Sequence, residues 1–226
     1  MCSRYSLTSP PEAVRAYFGY RDTPNFPARF NIAPTQPVAV VVRDKEGLRG
    51  FRLMRWGLLP SFVKDPKRFP TLINARAEDA LEKPSFRNAM RYRRCLVPAD
   101  GFYEWTGPKG KRRPFLLRPR DARLIAFAGL YERWRDGTGD EIDTVAILTC
   151  PANRIIAPLH DRMPVVLAHQ DFDAWLDVKG TAPEAALALL RPAPDNLFEA
   201  IEMHPKINDS KRDEPGIQEP LPPSLL

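Results

Sequence analysis

Arg94-Cys95-Leu96-Val97-Pro98-Ala99-Asp100-Gly101-Phe102-Tyr103-Glu104-Trp105 is the stretch that decides the fold. Cys95 to Val97 and Phe102 to Trp105 read as two strands, with proline, aspartate and glycine punctuating the turn between them. Phe115 to Leu117, Leu124 to Leu130 and Asp143 to Thr149 follow as further strands, separated by Gly, Pro and charged turns. That spacing predicts a sheet or barrel protein. Upstream, the β-branched run Pro37 to Arg43 and the segment Phe51 to Trp56 form a hairpin about Asp44-Lys45-Glu46-Gly47. Downstream, Pro164 to Leu167 and Leu197 to Met203 read as strands.

Helices are short and peripheral. Ser9-Pro10-Pro11-Glu12 reads as a capped start for a helix through Ala13 to Phe18, ended by Gly19. Ser85 to Arg91, Asn153 to Pro158, Asp171 to Leu176 and Pro183 to Leu190 complete the set, the last opened by a Thr181 capping box. After Asp209 the chain is polar and Pro-rich and is expected to be loose. The expectation is an α+β, mainly β, barrel-like single domain over residues 1–210, with a tail over 211–226.

The chain has 226 residues, 43% hydrophobic and 27% charged, which suits a globular protein. No apolar run approaches the roughly 18 residues of a membrane span. The N-terminus lacks a basic segment followed by an apolar one, so no secretory signal is expected. Three widely spaced cysteines, Cys2, Cys95 and Cys150, argue against a disulfide framework and for a reducing, cytoplasmic setting. No CxxC or HxxxH pair points to a metal, and no cofactor is expected. The net charge of +6 makes nucleic acid a plausible partner without requiring one.

Cys2 stands directly after Met1. If Met1 is removed, the new terminus carries an amine and a thiol on adjacent carbons. These titrate at about 7.7–8.0 and about 8.5 in unperturbed peptides, so reactive forms of both exist near neutral pH. Such an aminothiol condenses with an aldehyde to a thiazolidine. The bland alternative is a small residue at a frayed end.

Four polar islands sit in apolar surroundings. Asn74 follows Leu72 and Ile73, where it either ends a strand, caps a helix or positions a terminal amine. Arg76, two residues on, could grip a phosphate. Glu104 lies among aromatics, where desolvation raises a carboxyl pKa toward neutrality and suits it to proton transfer. The alternative is an ion pair at a sheet rim. His160, beside Asp161 and Arg162, is either a proton shuttle or a structural hydrogen bonder. The loop from Trp56 to Phe62 either wedges between bases or forms a core turn. Lys109-Gly110-Lys111-Arg112-Arg113 reads as a solvated hairpin tip that adds diffuse attraction to DNA. Cys95 and Cys150 lie in apolar strands and read as buried and inert.

Together these islands resemble the SRAP (SOS response-associated peptidase) family. The matching stretches are Met1-Cys2-x-Arg4-Tyr5, Phe30 to Thr35, Arg55 to Pro60, Ile73 to Glu78, Arg94 to Trp105, Ala128 to Glu132 and His160 to Pro164, in the family's order. The resemblance implies a barrel-like β domain with a basic cleft for single-stranded DNA containing abasic sites. It also implies a covalent thiazolidine DNA–protein crosslink through an exposed Cys2 once Met1 is gone. Carried over by motif, Cys2 is the nucleophile, Asn74 stabilises the reacting terminus, and Glu104 and His160 handle protons. Arg4, Arg76 and Arg162 hold phosphates, while Trp56, Phe62 and Trp105 prop the DNA open. The expected setting is a cytoplasmic monomer that joins the nucleoid at damage, with no membrane partner.

Two departures stand out. The family usually has glycine where this chain has Ser3, and residues 203–209 match only loosely. Two other readings compete: a cysteine-type (auto)peptidase using Cys2, His160 and Glu104, whose plainest act is removal of Met1, and a non-covalent single-strand DNA-binding module.

Overall fold

The computed structural model describes residues 2–108 and 110–221. Among them the chain runs β1 (Tyr5–Leu7), β2 (Arg29–Ile32), β3 (Pro37–Arg43), β4 (Arg49–Trp56), β5 (Asn74–Arg76), β6 (Arg94–Ala99), β7 (Gly101–Thr106) and β8 (Arg113–Pro119). It continues through β9 (Ile125–Arg135), β10 (Glu141–Pro151), β11 (Arg162–Pro164), β12 (Val166–Leu167) and β13 (Phe198–Glu202). The helices are α1 (Pro11–Phe18), α2 (Arg87–Tyr92), α3 (Phe172–Leu176) and α4 (Pro183–Leu187).

Five strands close on themselves. β10 pairs parallel with β4, and β4, β3, β6 and β9 follow as antiparallel neighbours. β9 then pairs back onto β10 over seven residues, from Arg135 to Gly129. Closure removes the sheet's free edges. The barrel carries apolar residues on nearly every turn of these strands: Val41, Leu96, Phe127, Leu130, Val145 and Ile147 are fully buried. Gly129 faces Cys95, and a Cβ there would lie 2.8 Å from the Cys95 sulfur, so the strands approach this closely only with glycine. The second sheet has the order β13-β8-β7-β1-β2 and lays the first residues of the chain against β7.

The mainly β single-domain architecture with short helices agrees with the sequence reading. Local details differ. Ser9 does not cap α1. Its hydroxyl donates to the Asp100 carboxylate at 2.6 Å, and Pro10 takes the cap position. Thr181 makes no capping bond to α4 either. Residues 153–158 form turns rather than a helix.

The loose tail is also corrected. Up to residue 221 it packs against β2 and β7. Ile217 is buried with Tyr103, Leu116, Met203 and Ile207 in a small separate apolar cluster. Asp213 accepts the backbone N–H groups of Phe30 and Asn31, and Gln218 donates to the Tyr103 hydroxyl at 2.7 Å. Buried apolar residues and a carboxylate matched to two backbone donors outweigh the high Pro and polar content of the segment.

Candidate active site

β1 runs antiparallel to β7 with Tyr5 opposite Phe102, and the Arg4 carbonyl accepts the Tyr103 N–H at 3.0 Å. This pairing lays the N-terminal arm along the strand that carries Glu104. From the other side comes β5, held in parallel register on β10 with Asn74 across from Ile147. Asn74 Nδ2 donates to the Cys2 carbonyl at 2.8 Å. Asn74 Oδ1 is buried and accepts nothing among the described residues. The structure thus brings Cys2, Asn74 and Glu104 to one place where the two sheets meet.

Cys2 is fully buried, with Sγ 3.6 Å from the Arg4 carbonyl. This corrects the expectation of an exposed, readily ionised nucleophile. Burial pushes its thiol well above the ordinary range, and a charge on Glu104 pushes it further. A thiolate here needs a base at hand. Glu104 is 3% exposed, and burial raises its carboxyl to about 7. The charge of Asp161 also raises it. Since an anion on either group disfavours one on the other, Cys2 and Glu104 together hold at most one negative charge near neutral pH.

His160 sits half-buried on the segment before β11, and burial lowers its pKa. Its Nδ1 lies 2.9 Å from the Arg162 backbone nitrogen and 2.7 Å from Asp161 Oδ1. One nitrogen cannot accept from the first and donate to the second at once. Asp161 is 85% exposed and its pull is diluted by water, so the neutral ring accepting the Arg162 N–H prevails, leaving Nε2 as the N–H.

The three arginines differ. Arg76 is exposed and forms no ion pair among the described residues. Arg162 is bidentate to Glu78 at 3.1 and 2.8 Å and also donates to the Thr149 hydroxyl and carbonyl. Arg4 donates to Asn31 Oδ1 at 2.8 Å and to the carbonyls of Ile207 and Asn208. Both are therefore bound within the protein in this state.

The aromatics differ as well. Trp56 is corrected: it is fully buried, packs edge-on against Tyr5 at 5.2 Å and donates Nε1 to the Ile73 carbonyl. An indole so placed cannot stack on a base. Phe62, past Gly57 in the same loop, is 58% exposed. Trp105 is half-buried, under the Arg4 guanidinium at 5.8 Å and bonded to Asn208. An open cleft of about 680 Å³ runs beside the arm, lined by Ser3, Arg4, Trp105, Lys111, Arg112 and Arg113. The basic turn read as a solvated tip thus borders the cleft.

Sequence reasoning passed over Asn31 and Glu78. Asn31 carried the same signal as Asn74, an amide between apolar residues. Glu78 carried none, because only the fold sets it against Arg162.

The class is defined by a closed β-barrel that buries a cysteine of the N-terminal arm near a carboxyl raised to about 7. The chain belongs to the SOS response associated peptidase (SRAP) family, which it matches over residues 1–210. It is 36% identical over 224 residues to Abasic site processing protein YoqW of Bacillus subtilis, covering 97% of this chain and 99% of that one. It is 27% identical to Abasic site processing protein HMCES of Rattus norvegicus, covering 95% of this chain and 74% of the other. Among solved structures, a Bacteroides thetaiotaomicron protein shares the fold with a TM-score of 0.87 at 23% identity, covering 97% of this chain and all of that one. A Bordetella bronchiseptica protein superposes with a TM-score of 0.78 at 28% identity, covering 90% of this chain and all of the other.

Proposed function

We propose that the protein shields abasic sites in single-stranded DNA by forming a thiazolidine crosslink through Cys2 after Met1 is removed. The observation that carries this reading is the placement of Cys2 between the Asn74 amide and a Glu104 carboxyl raised to about 7. A carboxyl with that pKa is both acid and base at neutral pH, as the reaction requires.

The sugar of an abasic site is a cyclic hemiacetal in equilibrium with its aldehyde. Opening it moves a proton from the anomeric hydroxyl to the ring oxygen, work that Glu104 and neutral His160 share. The Cys2 amine adds to the aldehyde carbon. The resulting carbinolamine takes a proton from Glu104 and loses water, giving an iminium ion. The thiol then gives its proton to the Glu104 carboxylate as Sγ adds to the iminium carbon, which leaves the ring nitrogen neutral and restores the Glu104 carboxyl. One C–N and one C–S bond form, one water leaves, and nothing is oxidised or reduced. The raised thiol pKa matters here, because it ties ring closure to proton acceptance by Glu104 rather than to free thiolate.

Intact mass after mixing with single-stranded DNA bearing one abasic site tests the reading. A species at protein plus DNA minus water, absent in Cys2→Ser, is the expected result. The free protein in the same run reports whether Met1 is gone. A Met1-free protein that gives no such species sinks the proposal.

A further inference from the structure

The C-terminal segment reaches the reactive arm. Asn31, on β2, is fully buried. Its Oδ1 accepts from Arg4 Nη1 at 2.8 Å. Its Nδ2 faces the carbonyls of Ile207, Asp209 and Arg212 at 3.4, 3.0 and 2.8 Å. Arg4 itself donates to Ile207 and Asn208 at 3.2 and 3.3 Å. Asp213 fixes the other side of the same hub, accepting Phe30 N–H at 2.5 Å and Asn31 N–H at 2.9 Å and pairing with Arg29. The Tyr103 hydroxyl, held by Gln218, donates to the Phe30 carbonyl at 2.6 Å. Residues 211–221 of this segment lie past the stretch that matches the family.

We infer that the segment from Met203 to Leu221 is a clasp on the N-terminal arm, and that Asn31 and Asp213 are positioning residues for Cys2. Arg4 is two residues from the nucleophile. Two residues of extended chain span no more than about 7 Å, so anchoring Arg4 at the clasp and the Cys2 carbonyl at Asn74 leaves the thiol and amine little room to wander. An asparagine is suited to the hub because one side chain presents an acceptor to the guanidinium and two donors to carbonyls. The effect on reaction rate rests on the crosslinking reading. The clasp itself does not.

The test uses Asn31→Ala and Asp213→Asn in the full chain, with two readouts. In single turnover on abasic single-stranded DNA, the maximal rate falls by about tenfold or more while the half-saturating DNA concentration stays within about twofold, since small displacements at a reacting centre are costly. By hydrogen exchange without DNA, the Tyr103 amide, which donates to the Arg4 carbonyl, exchanges faster, while the barrel amide of Ala128 does not. A raised half-saturating concentration with an intact maximal rate would make these residues DNA contacts and overturn the clasp. Unchanged exchange at Tyr103 would overturn it too. If the wild type forms no adduct, the crosslinking reading fails and exchange alone decides. Should Asn31→Ala not fold, Asp213→Asn, which keeps shape and removes charge, carries the same comparison.

Discussion

The fold treats the inner wall of the site and its outer rim differently. On the inner wall Cys2 and Glu104 are buried, Asn74 bonds the Cys2 carbonyl, and a charge on Glu104 raises the Cys2 thiol. On the rim, residues of one type part ways. Trp56 is core and Phe62 is exposed, while Arg4 and Arg162 are bound inward and Arg76 is exposed. Residue type therefore identifies chemistry well when a group must be desolvated to act. It identifies surface contacts poorly, because an arginine or tryptophan serves packing as readily as binding.

The largest expected effect lies on the inner wall. Glu104→Gln keeps shape and removes the proton exchange. Crosslinking should slow by about 10²-fold or more, the usual scale for losing a general acid–base. Rates followed by denaturing gel against pH should also lose an inflection near 7, the value to which burial raises this carboxyl. An unchanged rate would make Glu104 a structural residue and erase the contrast between wall and rim.

Trp56 and Phe62 sharpen the same contrast. Trp56→Ala removes a fully buried indole and should cost about 3–5 kcal/mol of stability by urea unfolding. Phe62→Ala should leave stability within about 0.5 kcal/mol, since the ring is 58% exposed. It should instead weaken single-strand binding by about 1–3 kcal/mol if the ring stacks on a base. Weaker binding by a well-folded Trp56→Ala would contradict the assignment of that residue to the core.

Stability against pH tests the wall without DNA. Folded Glu104 holds its proton up to about pH 7, whereas an unfolded glutamate releases it at about 4.3. Between those values only the unfolded chain has ionised, so the folded state loses ground as pH rises through that window and levels off above it. Relative to Glu104→Gln, the wild type should lose roughly 2–3 kcal/mol between about pH 4.5 and 8. A difference that is flat with pH would mean the carboxyl is not desolvated in solution.

Most of the barrel was legible in the sequence because its strands are long. β3, β9 and β10 run to 7, 11 and 11 residues, enough for β-branched runs and turn punctuation to register. β1 and β5 have 3 residues each and show no alternation. They exist because Tyr5 meets Phe102 and Asn74 meets Ile147, pairings that only the closed fold creates. Glu104 was legible because its neighbours in sequence are its surroundings in space. The tail was not, since the donors that Asp213 satisfies lie some 180 residues away. The burial of Cys2 escaped notice for a related reason: what covers it comes from β5 and β7, far along the chain.

The smallest expected effects separate the arginines. Arg76→Ala should leave the melting temperature unchanged and reduce the salt slope of single-strand binding by about 0.7, the value for one phosphate contact. Arg162→Ala is different. Its guanidinium is 12% exposed and already bonded to Glu78 and Thr149, so its loss should read mainly as stability, on the order of 1 kcal/mol after allowing for a partner half in water. The salt slope should stay as in the wild type if Glu78 keeps the fork. A slope reduced as much as by Arg76→Ala would mean that a phosphate displaces Glu78 on binding, because a carboxylate and a phosphate compete for the same planar donors. Glu78→Gln would then tighten binding, and Arg162 would join Arg76 as a DNA contact on the rim.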